Sequence, residues 1–114
     1  MPNNMLSALI GAPIEDWQYP DYGLRVDETS KKEGFLGEIP MNDGRVMTEH
    51  SVGVGIDGKE TLIPSIVPTL TKDEIDFMAA GGDPRTNDDI MNKAVQHAID
   101  RMQRGRSPFY GDKY

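Results

Sequence analysis

Gly53, Gly55 and Gly58 in the run V-G-V-G-I-D-G spell G-x-G-x-x-G. With that spacing a dinucleotide-binding loop lets its backbone approach a pyrophosphate. The chemistry needs a strand before the glycines and a helix after them, whose N-terminus faces the phosphates. Here the next residues are K-E-T-L-I-P-S-I-V-P, β-branched and broken by Pro64 and Pro68. No helix can begin at Gly58, and the spacing reads instead as an alternating strand ending in an Asp-Gly hairpin turn. On such a strand Gly53 and Gly55 share one face and leave room for a helix or a partner backbone to approach.

His50 stands between Glu49 and Ser51. Adjacent strand residues point to opposite faces, so these three cannot converge as acid, base and nucleophile by themselves. His50 reads as a half-buried residue on an apolar strand face. His97 shares a helix flank with Lys93, Arg101 and Arg104, a basic stripe on an otherwise acidic chain. The stripe is either a solvated flank beside Asp100 or a docking face for an acidic partner or a nucleic-acid backbone. The chain has two His, without H-E-x-x-H or H-x-x-E-H spacing, and no Cys, so neither a His-based nor a thiolate metal site is expected. Asp83, Asp88 and Asp89 lack the D-x-D-x-D-G order and the closing Glu of a calcium loop. Helix capping and solvent exposure account for Asp73, Glu74 and Asp76. No cofactor is implied, and no pair of groups converges as general acid and base.

The elements that would position these residues can be read along the chain. Residues 1–33 form an extended N-terminal arm. Its segment A-P-I-E-D-W-Q-Y-P-D-Y-G is too polar for a core element and too aromatic for a plain linker. Trp17, Tyr19 and Tyr22 are candidate anchors, on this domain or on a neighbouring subunit. Residues 34–41 read as a short strand and N-D-G at 42–44 as a turn. Residues 45–56 alternate with period two, placing Val46, Thr48, His50, Val52, Val54 and Ile56 on one face. Residues 59–68 follow as an edge strand or one ending in a bulge. T-K-D-E at 71–74 is a capping box that opens a short helix, with Ile75, Phe77 and Met78 on its apolar side. Thr86 or Asn87 caps a second helix, in which apolar residues at 90, 91, 94, 95, 98, 99 and 102 draw one stripe. The fold expected is α+β: a three-stranded antiparallel β-meander packed against two C-terminal helices. The core spans 34–104, and 105–114 is an unpacked C-terminal tail carrying Pro108, Phe109 and Tyr110.

Composition bounds the rest. The chain has 114 residues, of which 37% are hydrophobic, with 12 Gly and 8 Pro. That points to one domain with a small core. Seven Met are numerous, and Met78, Met91 and Met102 fall on predicted apolar faces, where Met fills gaps. No run approaches the length of a membrane span, and the N-terminus lacks the basic start of a signal peptide. The expectation is a protein made in the cytoplasm. A net charge of −7 disfavours bulk contact with nucleic acid or anionic membranes.

Four segments taken in order resemble a known module. They are K-K-E-G-F-L-G-E-I-P, D-G-R-V-M-T-E-H-S-V-G-V-G-I-D-G-K-E, I-P-S-I-V-P-T-L-T-K-D-E-I-D and K-A-V-Q-H-A-I-D-R-M-Q-R-G-R-S-P-F. The string is similar to a small module of tailed-bacteriophage virion structural proteins and internal, ejected virion proteins. It covers roughly residues 34–109, with Ile66 where the module has Leu. The resemblance implies a virion protein made in the host cytoplasm and present in several symmetric copies. Its partners would be other virion proteins of the tail, portal or capsid. It implies no catalytic residues. His97, Arg101, Ser107, Pro108 and Phe109 belong to the module's signature, and where they do more than pack they would contact a neighbouring virion protein. The expectation is a non-enzymatic structural component at the tail or portal vertex or in the ejection apparatus. The alternatives are a capsid decoration protein and a small intracellular module acting on a host protein.

Overall fold

The computed structural model describes residues 22–25 and 27–111. Two hairpins precede two helices. β1 (Ile39–Pro40) pairs antiparallel with β2 (Val46–Met47), and β3 (Ser51–Ile56) pairs antiparallel with β4 (Lys59–Pro64). Then come α1 (Lys72–Ala79), a 3-10 turn (Pro84–Thr86) and α2 (Asp88–Gln103). The fold is α+β.

The three-stranded meander expected from the alternation does not form: the described residues make two separate two-stranded sheets. The single strand predicted over 45–56 breaks at Thr48, Glu49 and His50. Thr48 and Glu49 are buried, and their polar groups are committed elsewhere. Thr48 Oγ1 donates to the Lys32 carbonyl at 2.5 Å, and the Lys32 N–H donates to Glu49 Oε2 at 3.0 Å. The carbonyl of His50 then accepts from both the N–H and the hydroxyl of Ser65, at 2.8 and 2.7 Å, which starts the second hairpin. The strand predicted over 34–41 is cut to two residues for a local reason. Gly34 and Gly37 sit at φ +75° and +73°, outside any extended strand.

Local signals hold where they are strongest. Asp57 and Gly58, at φ +52° and +77°, form a two-residue turn with both central residues left-handed, the type that suits strand twist. Val52 pairs with Ile63 and Val54 with Thr61 on the face turned to α2. There Val52 and Ile63 meet Ala94 and Ala98 of α2, both fully buried. The small alanines let helix and hairpin approach closely. Gly53 and Gly55 lie on the opposite face, exposed.

A second cluster, Ile39, Ile66, Val67, Leu70, Met78 and Ile90, joins β1, the connection after β4 and both helices. The turn of the first hairpin is tied to α1 by the Asn42 N–H, which donates to the Ala79 carbonyl at 2.9 Å. α1 opens with the predicted capping box. The Glu74 N–H donates to Thr71 Oγ1 at 3.2 Å, and the Thr71 N–H donates to Glu74 Oε1 at 2.8 Å. Asn87 Oδ1 caps α2 by accepting from the Ile90 N–H at 3.1 Å.

Gly34 is where the segment before β1 crosses the strand break. A Cβ there would overlap the Thr48 carbonyl oxygen, whereas a Cβ on Gly37 meets open space. Both positions have positive φ, so the pair separates the two effects. Gly37→Ala is expected to lose about 1 kcal/mol from the backbone alone. Gly34→Ala adds the displacement of Thr48 and is expected to lose about 2–3 kcal/mol or more. Urea denaturation of the two variants checks this; equal losses would show that the close approach to Thr48 contributes nothing.

Candidate functional site

Two segments read from sequence as lying outside the core, 22–33 and 105–111, supply residues to its interior. The first folds back on itself. The Lys31 N–H donates to the Gly23 carbonyl at 3.0 Å, and the Arg25 N–H donates to the Thr29 carbonyl at 2.8 Å. This small loop presents the Arg25 side chain to Glu49. Arg25 Nε donates to Oε1 at 2.6 Å and Nη2 donates to Oε2 at 2.8 Å, a bidentate pair with both side chains 2% exposed. Charge-assisted pairs of this geometry are the strong ones. With the Lys32 N–H added, Glu49 accepts three hydrogen bonds.

The tail expected to be unpacked closes this pair from the other side. Arg25 stacks over the Phe109 ring, 3.9 Å from its centroid, and Phe109 is 6% exposed. The tail is held in place by α2: Arg101 Nε donates to the Ser107 carbonyl at 2.6 Å, and Nη2 to the Phe109 carbonyl at 3.4 Å. The Phe109 N–H in turn donates to Ser107 Oγ at 3.1 Å. Phe35 fills the space beside it. Its ring meets His97 edge-on at 4.5 Å and Tyr110 edge-on at 5.5 Å, and Arg101 lies 5.0 Å over it.

The candidate docking residues therefore divide. Trp17 and Tyr19 lie outside the described residues. Tyr22 donates its hydroxyl to Glu38 Oε2 at 2.7 Å, and that hydrogen bond holds its pKa above the ordinary value. Lys93 is turned inward across the helix pair, donating to Glu74 Oε1 at 2.7 Å. That bond pulls the Glu74 carboxyl below the usual carboxylate range. His97 and Arg101 serve the aromatic cluster, Pro108 is half-buried and Phe109 is buried. Arg104 and Tyr110 face solvent, with Arg106 beside them in sequence. The helix stripe is thus largely spent on holding the fold, and of the candidate docking residues Arg104 and Tyr110 remain exposed. Arg25 and Phe35 were not singled out from sequence, and Glu49 was weighed only as an acid beside His50. The signal for two of them was present, because Phe35 and Glu49 lie inside the runs that carry the resemblance.

A cleft of about 610 Å³ opens on the other side of Glu49. Met41, Met47 and Met78 line it with Lys31, Arg45 and His50. His50 is half-buried, facing the charges of Lys31, Asp83 and Arg85. Asp83 is held down to about 2, chiefly by its hydrogen bond to Arg85. The G-x-G-x-x-G run contributes nothing to the cleft and lies in the β3–β4 hairpin. Among the described residues no group of three or more His, Asp or Glu is placed to hold a metal ion. No described helix is long and apolar enough to cross a membrane. No family model, curated protein or solved structure matches the chain.

The buried pair gives one expected outcome. Glu49→Gln keeps the shape and removes the carboxylate charge from the bidentate pair, so urea denaturation should show a loss of about 3–5 kcal/mol. The double variant Arg25→Met/Glu49→Leu should recover much of that, because it removes both members of the buried pair together. A loss within about 0.5 kcal/mol for Glu49→Gln, the range of an ordinary surface change, would show that the pair does not hold the fold.

The histidines give a second. Burial first, then a neighbouring cation (Arg101 at His97, Lys31 at His50), lowers both pKa values below the ordinary 6.5. Asp100 at His97 and Asp83 at His50 oppose the shift, and Arg85 adds to it at His50. Among the described residues the buried Nδ1 of His97 has no hydrogen-bond partner. The folded state thus binds these protons less readily than the unfolded chain. Stability is full above pH 6.5 and declines as pH falls through 6.5 towards the lower folded values. Denaturation midpoints measured against pH should fall in this window, less steeply for His97→Gln and for His50→Gln. A slope unchanged in both variants would remove the histidines as its cause.

Proposed function

We propose that the chain is a non-enzymatic structural component of a tailed-bacteriophage particle. It docks on neighbouring virion proteins at the tail or portal vertex or in the internal ejection apparatus. One observation carries the reading: three of the four segments that resemble the virion module meet at one place. Phe35 lies on His97 and under Arg101, and Arg101 holds the Ser107–Phe109 turn. Phe109 covers the Arg25–Glu49 pair, and Gly34 abuts Thr48. Residues that lie in separate segments of the resemblance thus serve one packed centre. Tyr110, 46% exposed, Arg104 and Arg106 are exposed within the stretch that runs from the cap of α2 to residue 110. Aromatic and arginine side chains are the ones that anchor interfaces, so this end is the face offered to a partner. On a chain of net charge −7 it is also the place where an acidic partner surface is tolerated.

Quantitative mass spectrometry of purified particles tests the proposal. About six or twelve copies per particle, a closed symmetric ring, is the expected result. A count in the hundreds would replace it with shell decoration. Presence in infected lysate together with absence from particles would replace it with a module acting on a host protein.

A further inference from the structure

The β3–β4 hairpin has two edges, and its register fixes which backbone groups face outward along each. The Ser65 N–H donates to the His50 carbonyl, so His50 and Ser65 are a bonded pair. In an antiparallel ladder bonded and non-bonded pairs alternate. Val52–Ile63, Val54–Thr61 and Ile56–Lys59 are then bonded, and Ser51–Pro64, Gly53–Leu62 and Gly55–Glu60 are not. Pro64, which has no N–H to give, falls among the second set, as it must. The groups that β3 turns away from β4 are therefore those of Ser51, Gly53 and Gly55. Natural sheet edges are blunted by a charge, a proline or a bulge. The β4 edge carries Glu60 and Pro64, whereas β3, S-V-G-V-G-I, has no charge, no proline and an unbroken register. Among the described residues β4 is its one strand neighbour, and Gly53 and Gly55 are exposed.

We propose that the β3 edge receives an extended segment of a partner protein as a third strand, apolar on one face and basic on the other. In strand addition the backbone gives affinity and the alternating side chains give specificity. Residues opposite Val52, Val54 and Ile56 fall on the face turned to α2. There Val54 and Ile56 are half-buried with Met91 and Val95 around the hairpin–helix cluster, and apolar side chains of a new strand extend that layer. Residues opposite Gly53 and Gly55 fall on the other face. The Glu60 carboxylate lies across Gly53 on that face, where a Cβ would meet its Oε2 at 2.5 Å. No ion pair among the described residues engages Glu60, so a lysine or arginine of the incoming strand finds its counter-charge in place. A second copy fits worse. Pairing β3 with itself brings two Glu60 carboxylates to one face of the same seam and supplies no base there. The inference rests on the hairpin alone and stands whether or not the chain belongs to a virion.

Nuclear magnetic resonance of the isotope-labelled full chain tests it. In the free protein, amide hydrogen exchange is expected to be fast at Ser51, Gly53 and Gly55 and slowed at Val52, Val54 and Ile56, at every protein concentration. The probe is the peptide acetyl-T-V-K-V-K-V-T-amide, and its control is the anagram acetyl-V-V-K-K-V-T-T-amide, equal in charge but without alternation. The alternating peptide should slow exchange at the three outward amides and shift their resonances, and the anagram should bind several-fold more weakly. Glu60→Lys, at an exposed position, should weaken the alternating peptide several-fold and favour acetyl-T-V-E-V-E-V-T-amide in its place. Slow exchange at Gly53 and Gly55 in the free chain overturns the proposal, because the edge is then already closed. Protection that grows with protein concentration also overturns it, by making a second copy the occupant. So does equal binding of the two lysine peptides, binding that Glu60→Lys leaves unchanged, or no effect on β3 up to the solubility limit of the peptide.

Discussion

A guanidinium and a carboxylate with no access to water make a demanding centre for a small protein. Each ion loses its hydration, and the pair repays that loss only if its geometry is good and its remaining hydrogen-bonding groups are met. Here they are. Glu49 takes both prongs of Arg25 and the Lys32 N–H, while Arg25 also donates to Thr29 Oγ1 and lies flat on Phe109. Meeting those requirements dictates the surroundings. The loop at 23–31 exists to deliver one arginine, the strand break at 48–50 to turn one glutamate inward, and the last turn to supply one ring. Arg101, by gripping the carbonyls of that turn, makes α2 part of the same construction.

The apolar packing is built around this centre in two pieces. One half sets α2 against the β3–β4 hairpin through Ala94 and Ala98, and the other gathers α1, β1 and the 66–70 connection around Ile66 and Met78. Ile90 at the start of α2 lies in the second cluster, so one helix spans both. Two-stranded hairpins are marginal by themselves and need a packed face, which α2 and α1 supply.

What could be read in the sequence was what depends on neighbours in the chain. The Asp-Gly turn, the capping box at Thr71 and the stripe on α2 are each decided within a few residues, and each formed. The strand break was hidden because the alternation from Val46 to Ile56 runs through it without a flaw. Only the pull of Lys32 and Arg25 on Thr48 and Glu49, across 16 to 24 positions, ends the first strand. Phe109 was hidden for a similar reason. A polar, glycine-bearing run such as R-S-P-F-Y-G reads as solvated until a planar cation is found for its ring to cover. The helix stripe shows the reverse. Its residues were correctly set on one flank, but the partners that employ Lys93 and Arg101 come from α1 and the tail and leave no mark on helical spacing.

The stacking of Phe109 on Arg25 joins positions near the two ends of the described chain. Contacts of such separation carry the largest loop-closure entropy and form late in folding. The ring is therefore a late arrival: the hairpins close and α1 winds before the ion pair is covered.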